Sequence, residues 1–359
     1  MEIHFLGTGA ANPSPTRGAS SLVVRLPNGS CWMFDCGEGT QTQLMKSNIR
    51  PGKLEKIFIT HLHGDHVFGL PGLLCTISLN SPEGRSGIDV YGPRGIGQYL
   101  TTALTLSSSE LNFPCIIHEI CQSDKMDKPC SIEPRSMATS ENHIQTVQIF
   151  PTDQNTWNIV GDNSITVSAA ILKHRIICYG YVIQEAPQPG RLNAALLKSK
   201  GIPPGPLYAK IKRGETIYTD DGLEVKTEDV LYPPCPGRKL VILGDTCDSL
   251  LITDLAMNAD VLVHEATNEN AHQEKCIENG HSTPGTEEIT RVYDEIFMYI
   301  LKWGGALLLM ILAFSFRYGC KFCKINPCKK ACSYTFQSTI QRTGQSFKTR
   351  GGMCSETIR

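Results

Sequence analysis

The feature that most constrains this chain is a cluster of metal-ligand side chains directly after an apolar run. The stretch Ile59–Leu70 reads ITHLHGDHVFGL and places three histidines and one aspartate within six residues. A lone histidine is more often structural, but imidazole and carboxylate groups in an H-x-H-x-D-H spacing are typical of a site for zinc or a similar divalent ion. His61 and His63, two apart at a strand end, point the same way and can bind one ion. Asp65 and His66, past the following turn, face a second ion.

A two-metal site needs further donors from distant parts of the chain. His174 in ILKHRIICYGYVI and Asp245 in LVILGDT both lie at the ends of strand-like runs. Asp245 can bridge two ions through its two oxygens, as in hydrolytic sites whose metals lie about 3.5–4 Å apart. Asp35, at the end of CWMFDCGEG, is better placed to orient a ligating histidine. Taken singly, His174 and Asp245 fit a structural role equally well; together with the motif they predict a dinuclear centre.

The pattern of apolar runs predicts the fold class. Short runs such as IHFLGTGA, KIFITHLHGD, LVILGDT and DVLVHEAT end in small or acidic residues and read as strands, several of them buried on both faces. Helix-like segments lie between some of them, at Gly39–Ser47, Leu70–Leu79 and Arg94–Ser107. The ligand-type residues follow strand ends, which is where open sheets place their sites. We therefore predict a mixed α/β sandwich.

Six motifs follow one another along the chain: FLGTGAANPSPTRGASS, FDCGEGTQTQL, ITHLHGDHVFGLPGLL, GDT, HEAT and GHSTP. Together they resemble tRNase Z, the zinc-dependent endonuclease that trims tRNA 3′ ends. The H-x-H-x-D-H motif alone gives only the metallo-β-lactamase superfamily, whereas GEGTQ, HEAT and HSTP narrow the resemblance to the short form of tRNase Z. The resemblance covers residues 1–284. It implies an α/β fold, the metallo-β-lactamase αβ/βα four-layer sandwich, with a protruding basic exosite arm.

The resemblance also implies roles for individual residues. One zinc would be held by His61, His63, His174 and Asp245, and the other by Asp65, His66 and Asp245. Asp65 is the residue credited with proton transfer for the attacking water.

At the far end of the match, His281 in GHSTP corresponds to a histidine thought to protonate the leaving 3′-oxygen, and Glu265 in HEAT lies in the loop that supports it. The residues after His281, Ser282 to Pro284, read equally as the start of a helix, so a capping role for that segment stays open. The implied reaction is phosphodiester hydrolysis that leaves a 3′-hydroxyl on the tRNA.

Two departures from the family pattern are visible. The loop that resembles P-x-K-x-R-N reads PSPTRG over residues 13–18, so Arg17 is kept as a substrate-binding candidate while the lysine and asparagine are replaced. The family pattern also continues after HSTP to a T-H-F-S-type motif that supplies the last zinc histidine. In this chain His281 is the final histidine, so the second zinc is one donor short.

A basic, Pro- and Gly-rich stretch, residues 186–214, predicts how RNA would be held. A formal net charge of −1 gives no overall basic character, but between Pro187 and Gly214 there are six cations and no acid. The stretch resembles the family's exosite arm, which clamps the tRNA elbow and serves the active site of the partner subunit in a homodimer. A solvated loop is the alternative. The cations are Arg191, Lys198, Lys200, Lys210, Lys212 and Arg213.

The composition changes abruptly after residue 284, and residues 285–359 form a divergent tail. Residues 296–316 are apolar except for Lys302, and residues 320–332 contain four cysteines. The tail reads as an alternative or mispredicted C-terminus, as a membrane anchor through 296–316, or as a separate zinc site formed by its cysteines. The start of the chain carries no signal-peptide pattern, so we expect a cytoplasmic or nuclear protein with reduced thiols.

Three functions follow from these observations. The leading one is a zinc endoribonuclease that removes 3′ trailers from precursor tRNA. The second is a catalytically impaired tRNA-binding isoform, because the last zinc histidine is absent. The third keeps the fold but acts as an esterase or thioesterase on small substrates.

Overall fold

The computed structural model describes residues 1–82, 84–122, 144–152, 156–162, 164–188, 190–219, 222, 224–234, 236–283 and 285, together with three short strands further along the chain. Within these residues, two large sheets pack face to face. The first sheet contains, in spatial order, β17 Lys324–Ile325, β1 Glu2–Gly7, β2 Ser21–Arg25, β3 Cys31–Phe34, β4 Leu54–Phe58, β5 Ile88–Pro93, β6 Cys115–Ile120 and β7 Ile144–Ile149. From β3 to β7 the strands are parallel, which brings their carboxyl ends to one edge.

The second sheet is antiparallel except at the β13–β14 pair. Its spatial order is β15 Phe297–Ile300, β16 Ile311–Phe314, β14 Val261–His264, β13 Lys239–Ile242, β10 Cys178–Glu185, β9 Ile165–Leu172 and β8 Thr156–Gly161. A separate ribbon pairs β11 Ile217–Tyr218 with β12 Glu224–Val225. The α-helices are α1 Thr40–Lys46, α2 Gly64–Val67, α3 Leu70–Asn80, α4 Ile96–Leu106, α5 Ala194–Ser199, α6 Pro206–Lys212, α7 Thr253–Ala256 and α8 Gln273–Glu278. The predicted helices at 39–47, 70–79 and 94–107 correspond to α1, α3 and α4.

The main core lies between the two sheets and is rich in aromatic side chains. Phe58 stacks on Phe34 and on Tyr91 at ring-centroid distances of 4.8 and 4.9 Å, and Tyr181 from the opposite sheet meets Phe58 edge-on at 5.3 Å. Offset stacked and edge-on pairs are the arrangements that aromatic quadrupoles favour. This layer fixes how the two sheets sit on each other, because its rings come from both of them.

Helices cover the outer faces of both sheets. On the first sheet, apolar side chains of α1, α3 and α4 pack onto the strands, among them Leu44, Leu73 and Leu100. On the second sheet, Ile252 and Ala256 of the α7 region pack onto β9, β10 and β13. The order helix, sheet, sheet, helix is the αβ/βα four-layer sandwich that the resemblance implied, and that prediction is confirmed.

Two hydrogen bonds join the sheets where β4 ends. The Tyr181 hydroxyl donates to the Ile59 carbonyl at 2.7 Å, and the Tyr179 amide donates to the Thr60 carbonyl at 2.9 Å. Both tyrosines are fully buried. Buried polar groups are expensive to leave unpaired, so these bonds hold the segment after β4 against the opposite sheet. That segment carries the first histidine of the motif.

Parts of the divergent tail are described and parts are not. Within the apolar run 296–316, β15 and β16 pair with each other, and β16 pairs with β14. The rest of that run, the cysteine segment 320–332 apart from β17, and most of the polar stretch 122–142 lie outside the described residues. Within the described part, none of the helices combines the length and apolar character that crossing a bilayer requires. The proposed domain boundary at residue 284 stays a prediction.

Candidate metal centre

The candidate ligands meet at one edge of the sandwich, each just past the end of a strand or at a neighbouring turn. His61 follows β4, Asp65 lies in α2, and His174 follows β9 by two residues. Asp245 lies three residues beyond β13, in GDT. Strands of both sheets therefore direct ligand-type side chains to the same place, and the fold brings together residues more than 100 positions apart.

The first donor group consists of His61, His63 and His174. Their nearest ligand atoms all lie within 4.8 Å of one another, and His174 Nε2 is 3.2 Å from His63 Nδ1. Two nitrogen ligands at about 2.0–2.1 Å from one tetrahedral zinc lie about 3.3–3.4 Å apart. The spacing therefore fits a shared ion.

A buried imidazole nitrogen supports the same assignment. His61 is fully buried, and its Nε2 has no hydrogen-bond partner among the described residues. That atom faces Asp245 Oδ2 at 3.8 Å. Buried polar atoms without a partner are rare in folded proteins, and a cation held between the two groups would account for this one.

The second donor group consists of His66, Asp65 and Asp245. His66 Nε2 lies 3.5 Å from Asp245 Oδ1 and 3.7 Å from Asp65 Oδ2. The two oxygens of Asp245 therefore face different histidines, Oδ2 toward His61 and Oδ1 toward His66. This geometry is compatible with the bridging role predicted for Asp245, which stays a prediction. Within the described residues, three protein donors would face a second ion.

Asp35 is hydrogen-bonded to one of these histidines, and its role in orienting a metal ligand stays a prediction. Its Oδ2 accepts a hydrogen bond from His66 Nδ1 at 2.7 Å, while Oδ1 accepts from the Thr60 amide at 2.8 Å. Asp35 is buried and has a positive φ of 57°. Because Nδ1 donates to Asp35, the neutral form of His66 carries its lone pair on Nε2, which lies toward Asp245 and Asp65.

His174 is oriented by a backbone group. Its Nδ1 donates to the Gly280 carbonyl at 2.6 Å, which leaves the Nε2 lone pair facing His63. Gly280 has a φ of 78°, a conformation that favours glycine. Sequence reasoning missed this partner; its only signal was a glycine directly before the HSTP motif.

The histidines of the two donor groups differ in the direction of their pKa shifts. Burial, then the neighbouring histidines, hold the pKa values of His61 and His63 below the ordinary range, and burial does the same for His174. Neutral imidazole is the form that binds a metal. Burial opposes charge on His66 too, but Asp245 and Asp35 outweigh it, so its pKa lies well above the usual value. Burial opposes charge on Asp245, but His66 and then His61 outweigh it and hold the pKa of Asp245 below its usual range.

His281 and Glu265 form a directly hydrogen-bonded pair beside the donors. His281 Nδ1 donates to Glu265 Oε1 at 3.0 Å and lies 3.5 Å from Asp245 Oδ2. Burial opposes charge on His281, but the hydrogen bond to Glu265 outweighs it, and the pKa of His281 is raised. The structure thus places Glu265 against His281 itself, which is closer than the supporting-loop position expected from the sequence.

Besides His281, four hydrogen-bond donors hold Glu265. Its Oε1 accepts from the amides of Thr246 and Ser282, and its Oε2 accepts from the amide and hydroxyl of Thr267. The Ser282 hydroxyl donates to the Thr246 carbonyl at 2.5 Å. Ser282 therefore ties the GHSTP segment to the GDT and HEAT segments. The helix predicted to begin here would continue into residues 286–296, outside the described part of the chain.

The loop that contains Arg17 reaches the centre through its backbone. The Ala11 amide donates to Asp65 Oδ2 at 2.7 Å, and Ala11 has a positive φ of 62°. Ser14 and Arg17 are bridged backbone to backbone, so the loop is a small hairpin. Arg17 is half-buried in that hairpin, and the loop contacts the centre through the Ala11 amide.

The predicted arm folds as a small unit with its own core. Leu197 of α5 and Ile211 of α6 are fully buried against Val225 and Val230, so the unit continues past residue 214. Five of the six predicted cations are exposed and Lys200 is half-buried. Arg213 forms an ion pair with Glu215, an acid just outside the stretch that sequence reasoning considered. An exposed pair of this kind contributes little, so the arm still presents a basic surface.

The sandwich and its histidine–aspartate cluster define a metal-dependent hydrolase of the metallo-β-lactamase fold. The crystal structure of human tRNase Z, short form, is 36% identical to this chain, with a TM-score of 0.58, and covers 81% of this chain and 88% of that one. The chain belongs to the ribonuclease Z family.

Relatives across kingdoms support this membership. Zinc phosphodiesterase ELAC protein 1 of Bos taurus is 45% identical over 295 residues, which is 79% of this chain and 80% of the relative. Ribonuclease Z of Streptococcus pneumoniae is 40% identical over 285 residues, 79% of this chain and 82% of the relative. Residues 1–128 also match a family model described as Anti-Pycsar protein Apyc1. The recognition made from the motifs is confirmed, and the family is one of zinc-dependent enzymes.

Proposed function

We propose that this chain is a zinc-dependent endoribonuclease that removes 3′ trailers from precursor tRNA and leaves a 3′-hydroxyl on the tRNA. The observation that carries the proposal is the pair of donor groups joined by Asp245, with Asp65 and His281 on either side of it. Membership of the ribonuclease Z family gives the substrate class. The basic arm is suited to a polyanionic substrate.

The chain's own residues have separable parts in this reaction. His61, His63, His174 and Asp245 hold the first zinc, and His66, Asp65 and Asp245 hold the second. Zinc supplies Lewis acidity, lowering the pKa of water to about 7 and neutralising charge on the attacked phosphate.

Proton transfer is assigned to two residues of the same centre. Asp65, whose Oδ2 is fixed by the Ala11 amide, takes the proton of the attacking water. His281, kept protonated by its hydrogen bond to Glu265, donates a proton to the leaving 3′-oxygen. General acid–base groups of this kind contribute about 10²–10⁴-fold each. No side chain forms a covalent bond to the substrate.

A second candidate function is a form that binds tRNA but cuts it slowly. The observation in its favour is that His281 is the last histidine of the sequence, and that among the described residues three protein donors face the proposed second zinc position. Three protein donors and an open position are sufficient for many catalytic zinc sites. The shortage therefore lowers the affinity of that position and leaves its geometry competent.

The deciding experiment is single-turnover cleavage of a 3′-extended tRNA precursor by the folded chain with zinc supplied. Cleavage directly after the discriminator base, giving a 3′-hydroxyl, supports the endoribonuclease. A folded chain that binds the precursor without cutting it supports the impaired form. A chain that neither binds nor cuts the precursor contradicts both, and a panel of small esters and thioesters then tests the remaining alternative.

The arm is proposed to bind the tRNA through phosphate contacts. Lys210 and Lys212 are both exposed in the last turn of α6, and base-paired RNA offers shape and backbone more than sequence. Replacing both with alanine is expected to reduce the slope of log affinity against log salt by about 1.4–1.8, at about 0.7–0.9 per contact. The matched control replaces Lys46 and Lys53, two exposed lysines outside the arm, and should leave the slope unaltered.

A homodimer is proposed as the working assembly. Three large apolar side chains are exposed on or beside the neighbouring helices α1 and α3: Met45 and Phe68 at 63% and Leu79 at 87%. Gln41 of α1 bonds to Thr76 of α3, which holds this face together. Light scattering of the purified chain tests the proposal, with Phe68→Asp expected to give monomer. A wild-type chain that stays monomeric at micromolar concentration contradicts it.

A further inference from the structure

We propose that Arg175 binds an RNA phosphate next to the scissile one, at the mouth of the metal centre. This inference rests on the proposed function, because it concerns how the same centre holds its substrate. The residue follows His174 directly in ILKHRIICYGYVI. Neither the donor groups nor the acid–base pair makes use of it.

The stem of Arg175 is fixed against the centre. A side-chain carbon placed on Gly280 would lie 3.2 Å from the Arg175 amide nitrogen and 3.3 Å from Arg175 Cγ, so the two residues are in close contact. Gly280 is also the residue whose carbonyl orients His174, and His281 follows it in the chain. The first carbons of Arg175 are therefore held by the same turn that positions a metal ligand and the proposed proton donor.

Arg175 lies beside two parts of the centre. It directly follows His174, whose Nε2 is 3.2 Å from His63 Nδ1, and it contacts Gly280, the residue before His281. The residue itself is exposed, and within the described part of the chain no carboxylate lies within ion-pair distance of it. A cation that is near two groups of the centre and has no acidic partner is available to an anionic substrate.

The position of Arg175 selects which phosphate it meets. The donor residues are buried or half-buried, whereas Arg175 is exposed, so the proposal places its guanidinium on the solvent side of the two donor groups. A phosphate held by those groups therefore leaves Arg175 to the adjacent phosphate of the chain. Arginine suits this role because its planar fork can donate two parallel hydrogen bonds to phosphate oxygens.

The residues that follow favour a single-stranded ligand. Ile176 and Ile177 are 38% and 42% exposed, so apolar surface continues from the charged group along the rim. Unpaired nucleotides bind through backbone charge together with contacts between base faces and side chains. An RNA strand that extends past the cleavage point can contact both the Arg175 guanidinium and the apolar surface of Ile176 and Ile177. A free phosphate ion can contact only the arginine.

The test is equilibrium binding of a 3′-extended tRNA precursor between 50 and 200 mM salt, in an Asp65→Ala background that prevents turnover. Arg175→Gln is expected to weaken binding about tenfold and to reduce the salt slope by about 0.7–0.9. Arg175→Lys is expected to restore the slope but only part of the affinity, because lysine keeps the charge and lacks the fork. Lys53→Gln, an exposed cation before β4 at the end away from the centre, is the matched control.

Each outcome decides the matter. An unchanged slope and affinity in Arg175→Gln overturns the inference while leaving the proposed function intact. Loss of zinc content or of thermal stability in Arg175→Gln, with no recovery in Arg175→Lys, overturns it by assigning the residue a structural role beside His174. If the chain with Arg175 intact does not bind the precursor at all, the proposed function and this inference fail together.

Discussion

Replacing Asp35 with asparagine tests whether the centre depends on the tautomer of His66. Asparagine has nearly the same shape, and it tolerates the positive φ of 57° at this position, so the backbone is undisturbed. Its amide oxygen can keep the hydrogen bond from the Thr60 amide. Its NH₂ group then faces His66 Nδ1, where the carboxylate accepted a proton at 2.7 Å.

The asparagine side chain cannot satisfy both the Thr60 amide and His66 Nδ1, and this conflict sets the size of the loss in zinc affinity. An NH₂ group can pair with His66 Nδ1 only if the ring proton moves to Nε2, which removes the lone pair that faces Asp65 and Asp245. Turning the amide over instead leaves the buried Thr60 amide without an acceptor. In either orientation one buried donor or acceptor is left without a hydrogen bond, which costs about 1–3 kcal/mol of free energy. That range corresponds to about 10–100-fold in zinc affinity, the usual loss when a residue that orients a ligand is changed.

The assay is zinc binding by competition with a chromophoric chelator, with the number of ions per chain as a second readout. Asp35→Asn is expected to weaken one ion by about 10–100-fold and to leave the other, held by His61, His63 and His174, much less affected. Asp260→Asn is the control, since Asp260 accepts a backbone hydrogen bond from Lys239 at 2.7 Å before β14, at the end away from the centre. Zinc affinities within twofold of wild type for both ions would refute the tautomer argument.

Three further changes test other parts of the molecule. Asp65→Ala is expected to abolish hydrolysis while leaving tRNA affinity nearly intact; joint loss in cleavage and gel-shift assays would contradict that division. Glu265→Gln is expected to lower kcat about 10–100-fold and stability by about 1–3 kcal/mol, because an amide nitrogen cannot accept the hydrogen bonds that the carboxylate now accepts. Tyr181→Phe is expected to cost about 1 kcal/mol in chemical denaturation through the lost bond to the Ile59 carbonyl. Tyr218→Phe, at a 67% exposed position, is its control and should be neutral.

The ligand-type residues were predictable because their chemistry restricts both residue type and spacing. A divalent ion accepts few side chains, so His61, His63, Asp65 and His66 stand out in a single hexapeptide after an apolar strand. His174 and Asp245 were found by the same rule, at the ends of other strands. The structure brings all six together. Their roles as ligands stay a prediction until metal is measured.

Fold class and helices followed from local patterns as well. Buried strands read as continuous apolar runs, and α3 and α4 begin and end within two residues of their predicted bounds. The extent of the arm did not follow, because its small core depends on contacts between α5, α6 and residues as far along as Val230. Composition could mark where the cations begin, but only packing shows where the unit ends.

What tertiary structure alone decided is the set of groups that orient the ligands. The sequence by itself determined the donors, the family and the basic stretch, since each depends on residue identity. The Ala11 amide that holds Asp65, the Gly280 carbonyl that holds His174 and the stem of Arg175 beside it depend on backbone position. Every residue has a backbone carbonyl acceptor, and every residue except proline has an amide N–H donor. A backbone hydrogen bond therefore leaves no mark on residue type and becomes visible only when the chain is folded.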